Sequence, residues 1–167
     1  MLQFLLDQNG TNPNAKDNQD KSALNLLAFA GNVEFVNEFF KRGKGDFKDV
    51  GHLHGAVKNG HLEMVEFLLE NTPVKFTDQD SYGRSALHAA CRTHQWEMVK
   101  YIIEKAPEVV PLVDLYGRSA FHYAMQNRVE LELAMFDFLK NNIGFERDVD
   151  TDGFNLLHCA SWFGQVL

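Results

Sequence analysis

The sequence predicts an all-α solenoid of stacked helix-turn-helix units joined by β-turn and hairpin loops. The first observation behind this prediction is a repeated motif. Ser-Ala-Leu-His-Ala-Ala at 85–90 recurs 34 residues later as Ser-Ala-Phe-His-Tyr-Ala at 119–124, each time directly after Tyr-Gly-Arg. The second is a repeated stretch, Glu-Met-Val-Glu-Phe-Leu-Leu-Glu at 63–70, which recurs with similar residues at 97–104. Repetition at a period of roughly 20 to 50 residues indicates a stacked array of supersecondary units.

Weaker copies of the first motif extend the series along the whole chain. The histidine position of the motif falls at Asn25, His54, His88, His122 and His158. Successive copies are therefore 29, 34, 34 and 36 residues apart. We predict a single domain over residues 1–167. It consists of a partial repeat at 1–16, repeats at 17–45, 46–79, 80–113 and 114–149, and a partial repeat at 150–167.

Each unit is predicted to begin with a turn that leads into a first helix. Asp-Ser-Tyr-Gly at 80–83 and Asp-Leu-Tyr-Gly at 114–117 combine an acidic turn starter with a glycine that tolerates positive φ. Ser85 and Ser119 follow where a hydroxyl can accept a backbone N–H that the first helical turn leaves without a partner. The turn and the cap together predict where the first helix begins.

Glycines predict where the first helix ends. Gly31, Gly60 and Gly164 stand where the chain must reverse, and a residue without Cβ suits that conformation. In the second helix, over 62–70, apolar residues recur at helical spacing and glutamates occupy the other positions, which predicts one buried face. No alternation of the kind expected for a β-strand competes with this pattern.

These segments resemble the ankyrin repeat, whose marker is a Thr-Pro-Leu-His-x-Ala stretch at a period of about 33 residues. The resemblance covers nearly the whole chain, with local departures. Ser-Ala replaces Thr-Pro in two units, Asn25 replaces the histidine in the unit that starts at Asp17, and the unit from Asp114 has extra residues near 129–133. The resemblance implies a scaffold that binds other proteins and performs no chemistry of its own.

Composition and charge limit the classes of function. The 167 residues are 45% hydrophobic and carry 16 Lys and Arg against 23 Asp and Glu, for a net charge of -7. This favours a folded, soluble domain and argues against a chain-wide nucleic-acid or membrane binder. Cys91 and Cys159 fall in predicted helices, which favours reduced thiols, and the apolar start at 1–6 is too short for a signal peptide or a membrane span. We therefore expect a cytoplasmic or nuclear protein.

The histidines raise the question of a metal site or a catalytic site. His52 with His54, and His158 with Cys159, are the close pairs, and neither has partners at the spacing of a zinc site. Because the motif histidine recurs once per repeat, we expect it to bond turn backbone and link adjacent units. Gly-Lys-Gly at 43–45 lacks the context of a phosphate-binding loop. The sequence thus predicts no catalytic residue, cofactor, metal or small-molecule substrate.

By resemblance, ankyrin proteins bind partners through the turn tips and the exposed side of the first helix. The matching candidate residues are Lys21, Phe47, Lys48, Lys58, Tyr82, Arg84, Arg92, Tyr116, Arg118, Phe154 and Trp162. Among the positions carried over, six cations face a single acid, Asp152, although the chain is acidic. Aromatic and arginine side chains are enriched at binding hot spots. We therefore hypothesise a basic, aromatic groove for an acidic protein segment.

Several alternatives to this hypothesis remain at the level of sequence. Tyr-Gly-Arg could merely stabilise the turn, with the aromatic rings covering neighbouring units, and Trp162 could pack on a following helix. The chain opens in a second helix and stops before the next one, so it could also be a regulatory domain of a larger enzyme, channel or adaptor. Contact with nucleic acid is the less favoured reading on an acidic chain.

One modification is also considered. Asn14 lies in a loop where ankyrin-repeat proteins can be hydroxylated on asparagine, which makes it a candidate hydroxylation site by resemblance. The alternative is an ordinary polar turn residue.

Overall fold

A computed structural model describes residues 12, 14–19, 21–126, 133–143, 149–155, 157, 158 and 161. Within them lie eight α-helices and one short 3-10 helix. The α-helices are α1 (Ala23–Phe29), α2 (Val33–Lys41), α3 (Val50–Lys58), α4 (Leu62–Asn71), α5 (Ala86–Arg92), α6 (Trp96–Lys105), α7 (Ala120–Met125) and α8 (Leu133–Asn142). The 3-10 helix, Pro107–Val109, follows α6. In the described part of the chain, β-structure is limited to isolated bridges, so the predicted all-α fold is confirmed.

The helices pair within each unit and stack between units. The first helices form a continuous row, in which α1 packs on α3, α3 on α5, and α5 on α7. Each of α1, α3 and α5 also packs on the helix that follows it, and this places α2, α4 and α6 in a second layer. The chain is therefore a solenoid of helix pairs, as the internal repeats predict.

The core is built from the same motif positions in the four units that α1, α3, α5 and α7 begin, whereas Leu157, at that position in the last unit, is exposed. The leucine position of the motif is fully buried in all four first helices, at Leu24, Leu53, Leu87 and Phe121. The second helices contribute a matching series of valines, Val36, Val65 and Val99. Burying an aliphatic or aromatic side chain of this size stabilises a fold by roughly 1.5 to 3 kcal/mol. Because each unit shares its buried face with its neighbours, the units hold one another in register.

The ends of the first helices follow the predicted residues in most units. Ser22, Ser85 and Ser119 are N-caps with extended backbone. Gly31 and Gly60 follow α1 and α3 with φ near +70°, which confirms two of the three predicted glycine ends, and Gly164 lies outside the described residues. After α5 the same position is taken by His94, which adopts φ of 55°. Its imidazole stacks on the Trp96 ring at 4.8 Å and bonds the carbonyl of Ala124 at 3.2 Å.

Helix α3 departs from this pattern at its start. Relative to the motif leucine it begins two residues earlier than α5, because Gly51 occupies the position of the capping serine. Asp49 serves as the cap instead, and its Oδ1 accepts from the backbone N–H of Gly51 at 2.7 Å.

The turns of neighbouring units are joined by backbone hydrogen bonds. The N–H of Leu115 donates to the carbonyl of Tyr82 at 3.0 Å, and the N–H of Thr151 donates to the carbonyl of Tyr116 at 2.9 Å. Since both bonds join equivalent turn positions, they set the turns of consecutive units side by side along one edge of the stack.

Candidate partner-binding surface

The motif histidine links adjacent units at His88. The backbone N–H of Ser85 donates to His88 Nδ1 at 3.2 Å, so Nδ1 is an acceptor and the ring proton lies on Nε2. Nε2 then donates to the carbonyl of Arg118, 3.0 Å away in the next turn. One ring therefore closes the cap of its own helix and fastens the following unit, which confirms the predicted role at this position.

Asn25 forms two comparable hydrogen bonds in the first unit with a side-chain amide instead of an imidazole. Its Oδ1 accepts from the backbone N–H of Ser22 at 2.9 Å, and its Nδ2 donates to Asp49 Oδ2 at 3.2 Å. The amide oxygen thus replaces Nδ1 and the amide nitrogen replaces Nε2. The departure from the family motif at Asn25 preserves both bonds.

The other motif histidines do not all form this link. The Nε2 atoms of His54 and His122 are buried and have no hydrogen-bond partner among the described residues. At His54 the cap bond through Nδ1 has no equivalent either, because Gly51 offers no hydroxyl and Asp49 is the N-cap of α3. His158 is exposed and bonds Asn155 instead. The predicted link between units is therefore confirmed at His88 and is not general.

The Tyr-Gly-Arg strings form a compact motif inside each turn. Arg84 donates from Nε and from a terminal nitrogen to Asp80 Oδ2, at 2.8 and 2.6 Å, while its guanidinium carbon lies 4.6 Å from the centre of the Tyr82 ring. The other carboxylate oxygen of Asp80 accepts backbone N–H groups of Tyr82 and Arg84. Burial disfavours the charged carboxylate, but the hydrogen bonds from Arg84 and the turn outweigh it and hold the pKa of Asp80 below its usual value.

The next turn repeats this motif and buries it more deeply. Arg118 Nε donates to Asp114 Oδ2 at 2.8 Å, and its guanidinium carbon lies 4.8 Å from the centre of the Tyr116 ring. Tyr123 adds two hydrogen bonds to this motif: its hydroxyl donates to Asp114 Oδ2 at 2.7 Å and accepts from Arg118 at 2.9 Å. Burial, together with the bond to Asp114, raises the pKa of Tyr123 to about 12. Both arginines are thus engaged inside their own turns.

The tyrosine rings of these turns remain accessible to a partner. Tyr82 is 54% exposed and Tyr116 is 50% exposed. Each ring carries a guanidinium on one face and is held by the turn backbone. The rings are therefore rigid, amphipathic surface groups.

A groove crosses the first three units between the turns and the first helices. Its volume is about 310 Å³, and most of the residues that line it are polar or charged. The lining residues are Lys16, Gln19, Lys21, Asn25, Phe29, Asp49, Gly51, His54, Gly55, Lys58, Asp80, Ser81 and Arg84. It therefore brings together Lys21, Lys58 and Arg84, three of the predicted site residues, from three consecutive units.

Lys58 is the most constrained cation of this groove. It lies in the last turn of α3, half-buried, and its nearest charged neighbours include Arg92 and Arg84. Burial first, and then these two positive charges, lower the pKa of the Lys58 ammonium, while Asp80 opposes the shift. Among the described residues no hydrogen bond or ion pair reaches the Lys58 ammonium, although the charge of Asp80 acts on it.

The remaining predicted residues have varied surroundings. Phe47 is partly buried against the core, with its ring edge-on to Phe40 at 5.4 Å, and Lys48 is exposed beside it. Arg92 is partly buried on α5. Phe154 is exposed on the turn that starts at 150, with its ring centre 5.5 Å from that of His158. Trp162 lies outside the described residues.

Sequence reasoning missed Lys16, Asp49 and Tyr123. Lys16 lines the groove, and the signal for it was its place directly before the turn at 17–19, where its backbone pairs with that of Ser22. Asp49 caps α3 and bonds Asn25, which the absence of a serine at 51 could have suggested. Tyr123 stands where the motif at 85–90 has alanine. This difference is visible in the sequence but does not by itself indicate a hydrogen bond to the turn. Asn14 is exposed, and its hydroxylation stays a prediction.

The described residues lack two features of other protein classes. No three histidine, cysteine, aspartate or glutamate side chains among them are grouped so that they could hold a metal ion. None of the described helices combines the length and the apolar character that crossing a bilayer requires.

A row of paired helices with turns along one edge defines a repeat protein of the solenoid class. The sequence matches the family described as ankyrin repeats (3 copies) over residues 1–80 and again over 53–143, so the chain belongs to the ankyrin-repeat family. Ankyrin repeats are generally protein-protein interaction modules, and their fold is typically non-catalytic. No curated protein matches the chain.

Proposed function

We propose that this chain is a non-catalytic protein-protein interaction scaffold that holds an acidic segment of a partner protein against its turns and first helices. The observation that carries the proposal is the groove of the first three units, where Lys21 and Lys58 present ammonium groups without an ion pair among the described residues. Solenoids of this kind use the long concave surface that stacking creates. An acidic segment would supply carboxylates to these two ammonium groups, since Asp49 and Asp80 in the same groove accept from other donors.

The proposed surface is narrower than the one that the sequence suggested. Arg84 and Arg118 are paired with Asp80 and Asp114, so they serve the turns and contribute little net charge to a partner. Lys21 and Lys58 are then the cations that attract the partner, with the Phe29 ring 5.7 Å from the Lys21 ammonium. In this proposal the two arginines stabilise the turns, and the two lysines bind the partner.

The exposed tyrosines extend the proposed surface beyond the groove. Tyr82 and Tyr116 stand on consecutive turns whose backbones are bonded to each other. Rigid aromatic side chains bury a large area on binding at a small cost in conformational entropy, which is why tyrosine is enriched at hot spots. We therefore assign them contact with apolar residues next to the acidic ones.

Affinity capture with charge-matched variants tests this function. The groove variant is Lys21→Glu with Lys58→Glu, and the control is Lys41→Glu with Lys100→Glu, which places the same charge change on α2 and α6. Both lysines of the control are exposed. We expect a protein that the wild type captures to be lost with the groove variant and retained with the control. Retention by the groove variant and loss from the control would overturn the proposed surface.

A further inference from the structure

We propose that the groove recognises the main chain of its ligand: an extended acidic segment of the partner accepts a hydrogen bond from the Ser81 N–H and donates one to the Lys48 carbonyl. This inference rests on the proposed function, because it states how the acidic segment is held in the same groove. Extended peptides that pair with exposed backbone groups of a binding protein obtain affinity from such main-chain bonds.

The turn at 46–50 is open, unlike the other described turns. The N–H of the first aspartate donates to the carbonyl four residues later, at 2.9 to 3.0 Å, in the turns that start at Asp17, Asp80, Asp114 and Asp150. Among the described residues, Asp46 makes no such bond to Val50. Val50 is already the first residue of α3, whose cap is Asp49. The early start of this helix therefore leaves the turn unclosed.

The backbone bond between consecutive turns is also missing at this point. In the later units, the N–H groups of Leu115 and Thr151 donate to carbonyls of the preceding turns, at 3.0 and 2.9 Å. The equivalent groups one unit earlier are the Ser81 N–H and the Lys48 carbonyl, and no hydrogen bond from the described residues reaches either of them. A donor and an acceptor that are paired in the later units are thus both available to a ligand here.

These two backbone groups lie at the groove that contains the lysines. Ser81 is exposed and lines the groove together with Lys21 and Lys58. Lys48 is exposed and directly precedes Asp49, another lining residue. Since the backbone groups and the ammonium groups share one surface, an acidic segment can bond through its main chain and its side chains at the same time.

The same groove is lined by a glycine that packing does not require. Gly55 lies inside α3, and a Cβ built there meets the backbone of Phe29 at 3.6 Å, which is an ordinary contact. Glycine in a helix interior is less stable than alanine, so the fold alone would favour a side chain. The next units have Ala89 and Tyr123 at the equivalent position. A glycine permits the close approach of a ligand backbone, which main-chain recognition needs.

Ser81→Pro removes the proposed donor and preserves the turn. Ser81 is the second residue of a turn that the Gly83 N–H closes on the Asp80 carbonyl at 2.9 Å, and proline is favoured at this place. Urea unfolding of Ser81→Pro should show a midpoint equal to or above that of the wild type, because no internal bond is lost. Leu115→Pro, the equivalent change in the next turn, should lower the midpoint because it removes the bond to Tyr82. A lowered midpoint for Ser81→Pro would show that its amide is bonded within the protein and would overturn the proposal.

Binding is measured by NMR titration of the whole chain with an acidic peptide, N-acetyl-hexaglutamate amide. We expect saturable shifts at the amides of Ser81 and Gly55. Ser81→Pro should weaken the affinity about five- to tenfold, the effect of one hydrogen bond. Ser81→Ala, which keeps the N–H and removes the hydroxyl, should bind as the wild type does. Equal affinity of Ser81→Pro and the wild type, or no binding to the wild type, would reject main-chain recognition.

A peptide with the same charges tests the bond to the Lys48 carbonyl. Hexaglutamate with N-methylated backbone amides keeps every carboxylate but cannot donate from its main chain. It should bind the wild type about five- to tenfold more weakly than the unmethylated peptide. Equal affinities of the two peptides would show that charge alone holds the segment.

The charge-reversed groove variant separates this inference from the proposed function. If Lys21→Glu with Lys58→Glu loses the captured partner, while Ser81→Pro and the N-methylated peptide bind as tightly as their controls, main-chain recognition is wrong and the proposed function stands. Retention of the partner by the charge-reversed variant would instead reject the proposed function.

Discussion

The carboxylate of Asp114 is completely buried and lies 2.6 Å from a terminal nitrogen of Arg118. The equivalent carboxylate of Asp80, in the preceding turn, keeps 17% of its side-chain surface exposed to water. The same five-residue turn therefore keeps both ion pairs partly buried, but only the carboxylate of Asp114 is removed from water, because Tyr123 covers it.

This difference predicts unequal losses of stability. Arg118→Gln leaves a buried carboxylate without its counterion and should lower the free energy of unfolding by about 3 kcal/mol. Arg84→Gln, at the better hydrated pair, should lower it by about 1 kcal/mol. Urea unfolding of the two variants beside the wild type checks the order. An Arg84 variant that loses as much as the Arg118 variant would contradict the role assigned to burial.

The two-sided bonding of His88 predicts a rescue by asparagine. His88→Ala removes the bond to the Ser85 N–H and the bond to the Arg118 carbonyl and leaves a small cavity, so it should cost about 3 kcal/mol. His88→Asn can restore both bonds, as Asn25 does in the first unit, and should cost about 1 kcal/mol. Thermal or chemical unfolding of both variants measures the difference, and equal losses would show that the hydrogen bonds matter less than the volume of the ring.

The close approach of consecutive turns predicts that glycine-to-alanine substitutions lower the free energy of unfolding by different amounts in different turns. Gly83 has φ of +75°, and a Cβ built there lies 2.8 Å from the backbone nitrogen of Leu115. Gly153 has φ of +81°, and no described residue lies within 4 Å of a Cβ built there. Gly153→Ala should cost only the backbone strain, about 1 kcal/mol, whereas Gly83→Ala should cost roughly 3 kcal/mol because the turns must also separate. Matched unfolding curves test this, and equal costs would contradict the contact between turns.

Burial of His54 predicts a dependence of stability on pH. Burial lowers its pKa to about 4, against about 6.5 in an unfolded chain. Both states are neutral above pH 6.5, so the contribution is fully present there, and it is lost as the pH falls toward 4 because only the unfolded state takes up the proton. The loss amounts to about 3 kcal/mol. His52, His88 and His94 have pKa values lowered in the same direction by burial and add to the slope.

A substitution at His54 isolates its contribution to this pH dependence of stability. His54→Gln should flatten the decline of the free energy of unfolding between pH 6.5 and 4 without abolishing it. Unfolding curves over this range measure the slope in both proteins. An unchanged slope in the variant would show that His54 is protonated as readily in the folded protein as in the unfolded one.

Much of the fold was predictable because the sequence repeats its own signals. The identical cap and leucine positions at 85–90 and 119–124 predict α5 and α7, and the glycines at 31 and 60 predict the ends of α1 and α3. The early start of α3 departs from the repeat, because Gly51 stands where the other units have the capping serine and Asp49 is the cap; the missing serine is the one sign of it in the sequence. Likewise, His94 has the left-handed backbone without being a glycine, and its stacking on Trp96 is a tertiary contact.

The sequence predicted which residues belong to the candidate site, but it did not predict what each of them does there. Asp and Arg stand four residues apart in both Tyr-Gly-Arg turns, so the ion pairs of Asp80 and Asp114 could have been inferred from spacing. The degree of burial could not, since it depends on Tyr123 packing from the next helix. The charge environment of Lys58 depends on Arg84 and Arg92, which the following unit brings beside it, and no local pattern in the sequence indicates that proximity.

Site-specific photo-crosslinking tests the central claim, that the face of turns and first helices binds a partner protein. A photoreactive phenylalanine analogue is placed at Ser81, which is exposed and lines the groove, and in a second protein at Glu97, whose side chain is 89% exposed on α6. After irradiation in cells, we predict a covalent adduct with a partner protein from Ser81 and none from Glu97. Adducts from Glu97 alone, or the same adduct in equal yield from both positions, would contradict the account.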